Sequence, residues 1–303
     1  MKFYYRNIYN KMESVNSLEN AKLEINGLLD GNGFVKVIKV SPETHPEGFT
    51  PEYLVAKAAR ASYNSDTKTP ASDKRLVEFL LRNHHTSPLE MCSITFCLKL
   101  PIAICRQLLR HRTGKFNEFS QRYSEVTEEV DRLRLDKTAM ALRGKSSTNK
   151  QASEFNLSVD QIKDVVSRIQ KAEELQDEVF KSYRSLLDAG LTKEVARFYL
   201  PVSTYTKIYV QFDLNNLIKF LRLRCAPDAQ YEIQVYANAM KKLAKQFFPI
   251  CLNLEDDYKD GVWLGKYEKQ MIRDKRIPDE VESKTHQKQL RDLALDLGIE
   301  LTN

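Results

Sequence analysis

Apolar positions along the chain switch between two periods, and each switch marks an element. Phe34–Ser41 (FVKVIKVS) is rich in β-branched residues and predicts a strand. Pro51 stands where a helix can begin, with Leu54, Val55, Ala58 and Ala61 at helical spacing. A second helix follows Ser72, its span marked by Leu76, Phe79 and Leu80. Cys92–Leu100 alternates, with Cys92, Ile94, Phe96, Leu98 and Leu100 on one face, as a strand requires. Pro101 then opens a helix that should run to near Gly114, because proline suits the first helical turn and glycine the position just past the last.

Further along, Ser158 and Gln161 form a capping-box pattern, and Ile162, Val165, Ile169, Leu175, Val179 and Leu186 support a long helix ending at Gly190. Thr192 is placed to cap a shorter one carrying Arg197. Thr204–Phe212 reads as a strand, and Asp213 is placed to cap the helix that holds Leu214, Leu217, Leu221 and Arg224. Asp228 is placed to cap another, with Ile233, Tyr236, Met240, Leu243 and Phe247 inward. Residues 1–33 are polar, end in Gly31-Asn32-Gly33 and read as an appendage to a domain over 34–260. Residues 124–157 turn charged and then polar, which predicts an insertion, and 261–303 read as a charged helical extension.

Composition narrows the possibilities. A chain of 303 residues allows one large domain or two small ones, and 42% hydrophobic residues exclude a disordered chain. The net charge of +6 favours anionic partners. Its spread along the chain suits a phosphorylated small molecule as well as nucleic acid. No apolar run approaches the roughly 20 residues that cross a bilayer, and the N-terminus lacks an apolar signal core, so the chain reads as cytoplasmic with no membrane partner. Cys92, Cys97, Cys105, Cys225 and Cys251 are odd in number and sit in apolar surroundings, as reduced core residues do.

Chemistry concentrates after Pro101. On the helix expected there, Arg106, Gln107 and Arg110 share a face. Guanidinium forks suit phosphate oxygens and carbonyls, and a glutamine amide can both donate and accept, as a base edge requires. The same residues also fit an exposed basic helix end favoured by the helix dipole. The loop that follows interleaves Asn117, Glu118, Ser120, Arg122 and Tyr123 where glycines and prolines would be ordinary. His85, Ser87 and Glu90 surround Pro88 in another polar turn, while Arg197 and Arg224 stand in or beside apolar surroundings. No HExxH or CxxC is present, so no metal site is expected. Arg143–Ser147 (RGKSS) resembles the end of a P-loop but has Ala139 where the first glycine belongs.

Taken together, these stretches resemble the flavin-dependent thymidylate synthases. Their motif is Arg-His-Arg, seven residues, then Ser-x-Arg-Tyr, with Asn-Glu inside the gap; here it reads Arg110-His111-Arg112, Asn117-Glu118 and Ser120-Gln121-Arg122-Tyr123. AARASYNSD (58–66), HTSPLE (85–90), CRQLLRHR (105–112), EVARFYLP (194–201) and LRLRCAPDAQYEIQ (221–234) look like other blocks of that family, in its order.

The resemblance implies a mixed α/β fold with a central, mostly antiparallel sheet flanked by helices. It implies a homotetramer with shared active sites that converts dUMP to dTMP using FAD, with NADPH and 5,10-methylenetetrahydrofolate as co-substrates. By the same resemblance Ser87, Arg110, His111, Arg112 and Glu118 would hold FAD, with weaker claims for His85, Asp213, Asn215 and Lys219. Gln107, Arg110, Glu118, Ser120, Arg122, Arg197 and Arg224 would surround dUMP, with Arg224 the catalytic cation and Ser120 a positioning group. Lys115, Asp213 and Lys219 depart from the family's usual residues. A related flavoenzyme that hydroxymethylates dUMP is an alternative, and a nucleic-acid-binding module a more distant one.

Overall fold

Alternating apolar residues from distant parts of the chain meet in one antiparallel sheet. Its strands are β1 (Glu24–Leu28), β2 (Gly33–Ser41), β3 (Ser93–Pro101), β4 (Lys115–Glu118) and β7 (Tyr205–Asp213), in the order β1-β2-β3-β7-β4. A separate two-stranded ribbon pairs β5 (Gly144–Lys145) with β6 (Ser153–Glu154). The computed structural model describes residues 22–43, 50–61, 69–127, 129–132, 144–145, 153–154, 157–257 and 264–302. Most of the expected insertion, the start of the expected appendage and residues 62–66 of the AARASYNSD block lie outside the described residues.

Register follows burial. Ile94, Phe96, Leu98 and Leu100 of β3 face the core with Ile208, Val210 and Phe212 of β7, all fully buried. In β2 the buried set is Val35, Val37 and Val40, so alternation breaks once. A register shift between Val37 and Lys39 explains the break, because one extra residue there turns Ile38 outward and re-phases the strand.

Helices α1 (Tyr53–Arg60), α2 (Pro70–Arg82) and α3 (Ile102–Leu108) share the core of the sheet, as do α6 (Leu214–Arg224), α7 (Tyr231–Ala244) and α8 (Pro249–Asp257), whereas α4 (Val159–Asp188) and α5 (Lys193–Ala196) pack in a separate cluster with Val126 and Val130. The expected caps are realised in α4, where Ser158 and Gln161 form the capping box, and in α6, where Asp213 accepts from the Asn216 N–H. Two expected starts are corrected. Thr69, not Ser72, caps α2, since Pro70 supplies the first helical position; and α7 starts after Gln230, leaving Asp228 in the preceding turn. The five cysteines are free and four are buried; burial pushes the thiols of Cys92 and Cys105 up to about 12.

Three further readings change. Helix α3 ends at Leu108, because residues 109–114 close into tight turns that must deliver the chain to β4 at the sheet edge. Leu108 is buried and Leu109 is exposed. Residues 24–28, grouped with the appendage by their polarity, pair with β2 as an edge strand. Residues 124–127 and 129–132, grouped with the insertion, are tied in: Val126 and Val130 pack on Phe180 and Tyr183, and Lys99 pairs with Glu129 at 2.6 Å.

The chain divides into two compact units, Met1–Glu255 and Asp256–Asn303. The second is a helical hairpin of α9 (Lys266–Asp274) and α10 (Lys284–Asp296), with Met271, Val281, Leu290 and Ala294 at its core. Among the described residues no helix is long and apolar enough to cross a membrane.

Glu52, 1% exposed, caps α8 from a distant part of the chain. Its carboxylate accepts from the N–H groups of Ile250 (2.9 Å) and Cys251 (2.6 Å), two donors that the helix itself leaves without partners. Burial outweighs those bonds and pushes the carboxyl up to about 7. A carboxyl held above its unfolded value stabilises the fold fully below about 4.5, and that contribution is lost as pH rises through about 7. The unfolding free energy from denaturant titrations should therefore fall between pH 5 and pH 8, by up to about 3 kcal/mol from this group. Glu52→Gln should flatten part of that fall. Asp131, also pushed up to about 7 by burial and then by Asp30, contributes a slope that remains. An unchanged pH profile in the variant would refute the assignment.

Candidate active site

The site is built outward from α6. Asp213 ends β7 and caps the helix at once: one carboxylate oxygen accepts from the Asn216 N–H (2.9 Å) and the other from Asn216 Nδ2 (2.6 Å). Eleven residues later, roughly 16 Å along the axis, Arg224 closes the helix. Its Nε donates to His111 Nε2 at 3.0 Å and its Nη2 to the Gln107 carbonyl at 3.4 Å.

His111 is held from two sides by the same helix. Its ring stands edge-on to Phe220, 4.8 Å between centroids, and Phe220 lies one turn before Arg224. Because Nε2 accepts, the imidazole is neutral with its proton on Nδ1. Burial, and then the Arg224 charge, pull its pKa down to about 4. Burial also pulls Arg224 below its ordinary value, yet a guanidinium stays charged. The pair thus carries one positive charge.

Arg110 and Arg112 flank His111 in the turns after α3 and not on its last turn, as the helical pattern suggested. Both are exposed, and among the described residues neither guanidinium has a side-chain partner. Gln107 remains on α3, and its Nε2 donates to Gln230 Oε1. Glu118 sits in β4, where Thr206 donates to its carboxylate at 2.9 Å. Strand β4 carries no apolar alternation, and its sequence pattern is that of a loop.

A second group lies on other elements. Ser120 Oγ accepts from the Arg122 N–H at 3.3 Å, and Arg122 pairs with Glu194 of α5 at 3.0 Å. Arg197 opens a 3-10 turn (Arg197–Tyr199) beside exposed Phe198 and Tyr199. Among the described residues no hydrogen bond or ion pair joins Ser120, Arg122 or Arg197 to Gln107, His111 or Arg224.

A third group surrounds the start of α6. Ser87 opens a 3-10 turn (Ser87–Met91), and His85 stands edge-on to Phe79. Glu90 of that turn accepts from the buried Asn215 at 3.1 Å, which fixes the turn to the helix. Asp213 and Asn215 are thus engaged within the chain, whereas Lys219 is exposed. Sequence reading did not single out Phe220 or Gln230. Gln230 leaves one trace, a glutamine at a helix start where serine, threonine or aspartate is usual.

Proton NMR of the imidazoles should find His111 titrating near pH 4, and Arg224→Ala should raise that value only partway, since burial is the larger cause. A His111 that titrates near its ordinary value of 6.5 would contradict the geometry.

Residues 47–250 match the family model for Thymidylate synthase complementing protein. A flavin-dependent thymidylate synthase of Thermus thermophilus is 38% identical over 226 residues, which covers 74% of this chain and 79% of the relative. One from Treponema denticola is 41% identical over 222 residues, covering 72% and 80%. Among solved structures, the UMP/dUMP methylase PolB from Streptomyces cacaoi, bound with 5-Br dUMP, superimposes with a TM-score of 0.63 at 29% identity, over 75% of this chain and 95% of that one. All three polar groups fall inside the matched span, and with that extent of similarity the chain belongs to the flavin-dependent thymidylate synthase family.

Proposed function

We propose that this protein converts dUMP to dTMP, with FAD as its bound cofactor, 5,10-methylenetetrahydrofolate as carbon donor and NADPH as reductant. The observation that carries the reading is Arg224, a cation half-withdrawn from water and aimed by a neutral histidine. A fixed guanidinium beside the N3/O2 edge of a pyrimidine stabilises negative charge as it develops on the ring. Neutral His111 accepts the Nε proton without adding a second charge, and Nη2 donates to the Gln107 carbonyl, which would leave Nη1 for the ligand.

The residues fit a flavin. Arg110 and Arg112 offer free donor forks for a pyrophosphate, and Ser87, Glu118, Lys219 and His85 supply further polar contacts around α6 and β4. Asp213 and Asn215 would shape this side of the site, through the cap and the Glu90 bond. Bound flavin would supply hydride chemistry that no side chain here provides.

Gln107 and Arg224 would meet the base, while Arg110, Glu118, Ser120, Arg122 and Arg197 would complete the nucleotide site. Among the described residues no hydrogen bond or ion pair links Ser120, Arg122 or Arg197 to Arg224, which supports a homotetramer whose sites combine residues of different copies. The same reading gives a cytoplasmic enzyme acting on free nucleotide, with no membrane or nucleic-acid partner.

Arg224→Ala should lower dTMP formation by about 10²–10³-fold while the protein still folds and takes up flavin, as followed by visible absorbance. Normal turnover in the variant would remove Arg224 from the mechanism. A purified protein unable to take up FAD would overturn the function as a whole.

A further inference from the structure

Gln230 occupies the N-cap of α7, where a side chain ordinarily accepts from the first free N–H groups of the helix, yet it makes no such bond. Its Oε1 accepts from Gln107 Nε2 instead. The turn that presents it is pinned from within α7: Gln234 Nε2 donates to the carbonyls of Ala229 (2.6 Å) and Pro227 (3.3 Å). The Gln234 N–H also donates to the Gln230 carbonyl at 3.1 Å. The backbone from which Gln230 projects is therefore held in place, and its Oε1 meets a proposed substrate ligand.

An amide rotated by 180° exchanges its acceptor and its donors. The edge of uracil shows a carbonyl at position 4 and an N–H at position 3; cytosine shows an amino group and a bare nitrogen at the same places. A freely rotating glutamine beside that edge would suit either base. With one Nε2–H engaged by Gln230, Gln107 keeps Oε1 and one N–H in fixed places.

We propose that Gln230 is a specificity-determining positioning residue: it fixes the amide of Gln107 and so makes the nucleotide site read uracil in preference to cytosine. This inference rests on the reading of Gln107 as a dUMP ligand.

The test uses the FAD-loaded protein and variants at positions 230 and 107, with kcat and KM for dUMP and calorimetric affinities for dUMP and dCMP. Gln230→Ala should weaken dUMP binding about tenfold with dCMP little changed, and leave kcat within about twofold. Gln230→Glu, which only accepts, should keep wild-type selectivity. Gln230→Lys, which only donates, should capture the Gln107 carbonyl and lose selectivity. Charge alone would shift the affinities for dUMP and dCMP together, because both carry the same phosphate, and would leave their ratio unchanged in either variant. The side chain is exposed, so melting temperatures should match wild type. An unchanged dUMP/dCMP ratio in Gln230→Ala, or equal behaviour of the Glu and Lys variants, would overturn the proposal. Unchanged dUMP affinity in Gln107→Ala would overturn its premise separately, without touching the enzyme's turnover of dUMP.

Discussion

Strand β7 is bonded along both edges, and no residue separates its end from α6. That continuity constrains the whole site. Ile208, Val210 and Phe212 fix which face of β7 is buried, so its register against β3 cannot slip by one residue without turning all three toward solvent. Asp213 follows as strand end and helix cap together, which sets the rotation of α6 about its axis. Phe220 and Arg224 then reach His111 because they lie four residues apart on one helical face. On the other edge, β4 places Glu118 opposite Ile208 and within reach of Thr206. One strand therefore aligns both a cation and a carboxylate.

The two arginine pairings differ in kind. Arg122 and Glu194 are each about half exposed, and an ion pair of that sort contributes roughly 0–1 kcal/mol. A ligand phosphate could exchange for Glu194 at little cost. Arg224 is tied to a neutral acceptor in a partly desolvated place, where a second positive charge would be expensive, and His111 stays unprotonated as a result. The first arrangement suits a group that must let go and rebind. The second suits one whose aim must persist.

Legibility in the sequence tracks how local each determinant is. The β3 and β7 strands, the α4 capping box and the Asp213 cap were readable because period and cap chemistry reside within a few residues. Leu109, Arg110 and the residues after them continue a helical pattern, but pairing of Lys115–Glu118 with β7 ends the helix early, and no local signal carries that long-range demand. Most polar residues proposed for the site were readable from motif spacing. Glu52, Phe220, Gln230 and the bond between Glu90 and Asn215 were not, since each rests on a partner more than 100 positions away.

The span of the family model and the physical unit do not coincide. Similarity to the family model begins at residue 47, after β1 and β2, yet without β2 the edge of β3 would stand bare and Val35, Val37 and Val40 would leave the core. At Gly33 the start of β2 passes so close to α7 that an added Cβ would lie 2.2 Å from the Tyr236 hydroxyl, which itself donates to the Lys99 carbonyl of β3 at 2.8 Å. Glycine is required there by the approach of a helix and not by its backbone angle. Helix α7 is the element that Gln230 caps, so a strand outside the span of the family model braces the helix whose N-cap meets Gln107. A boundary drawn at the start of the family model would cut through the support of the site.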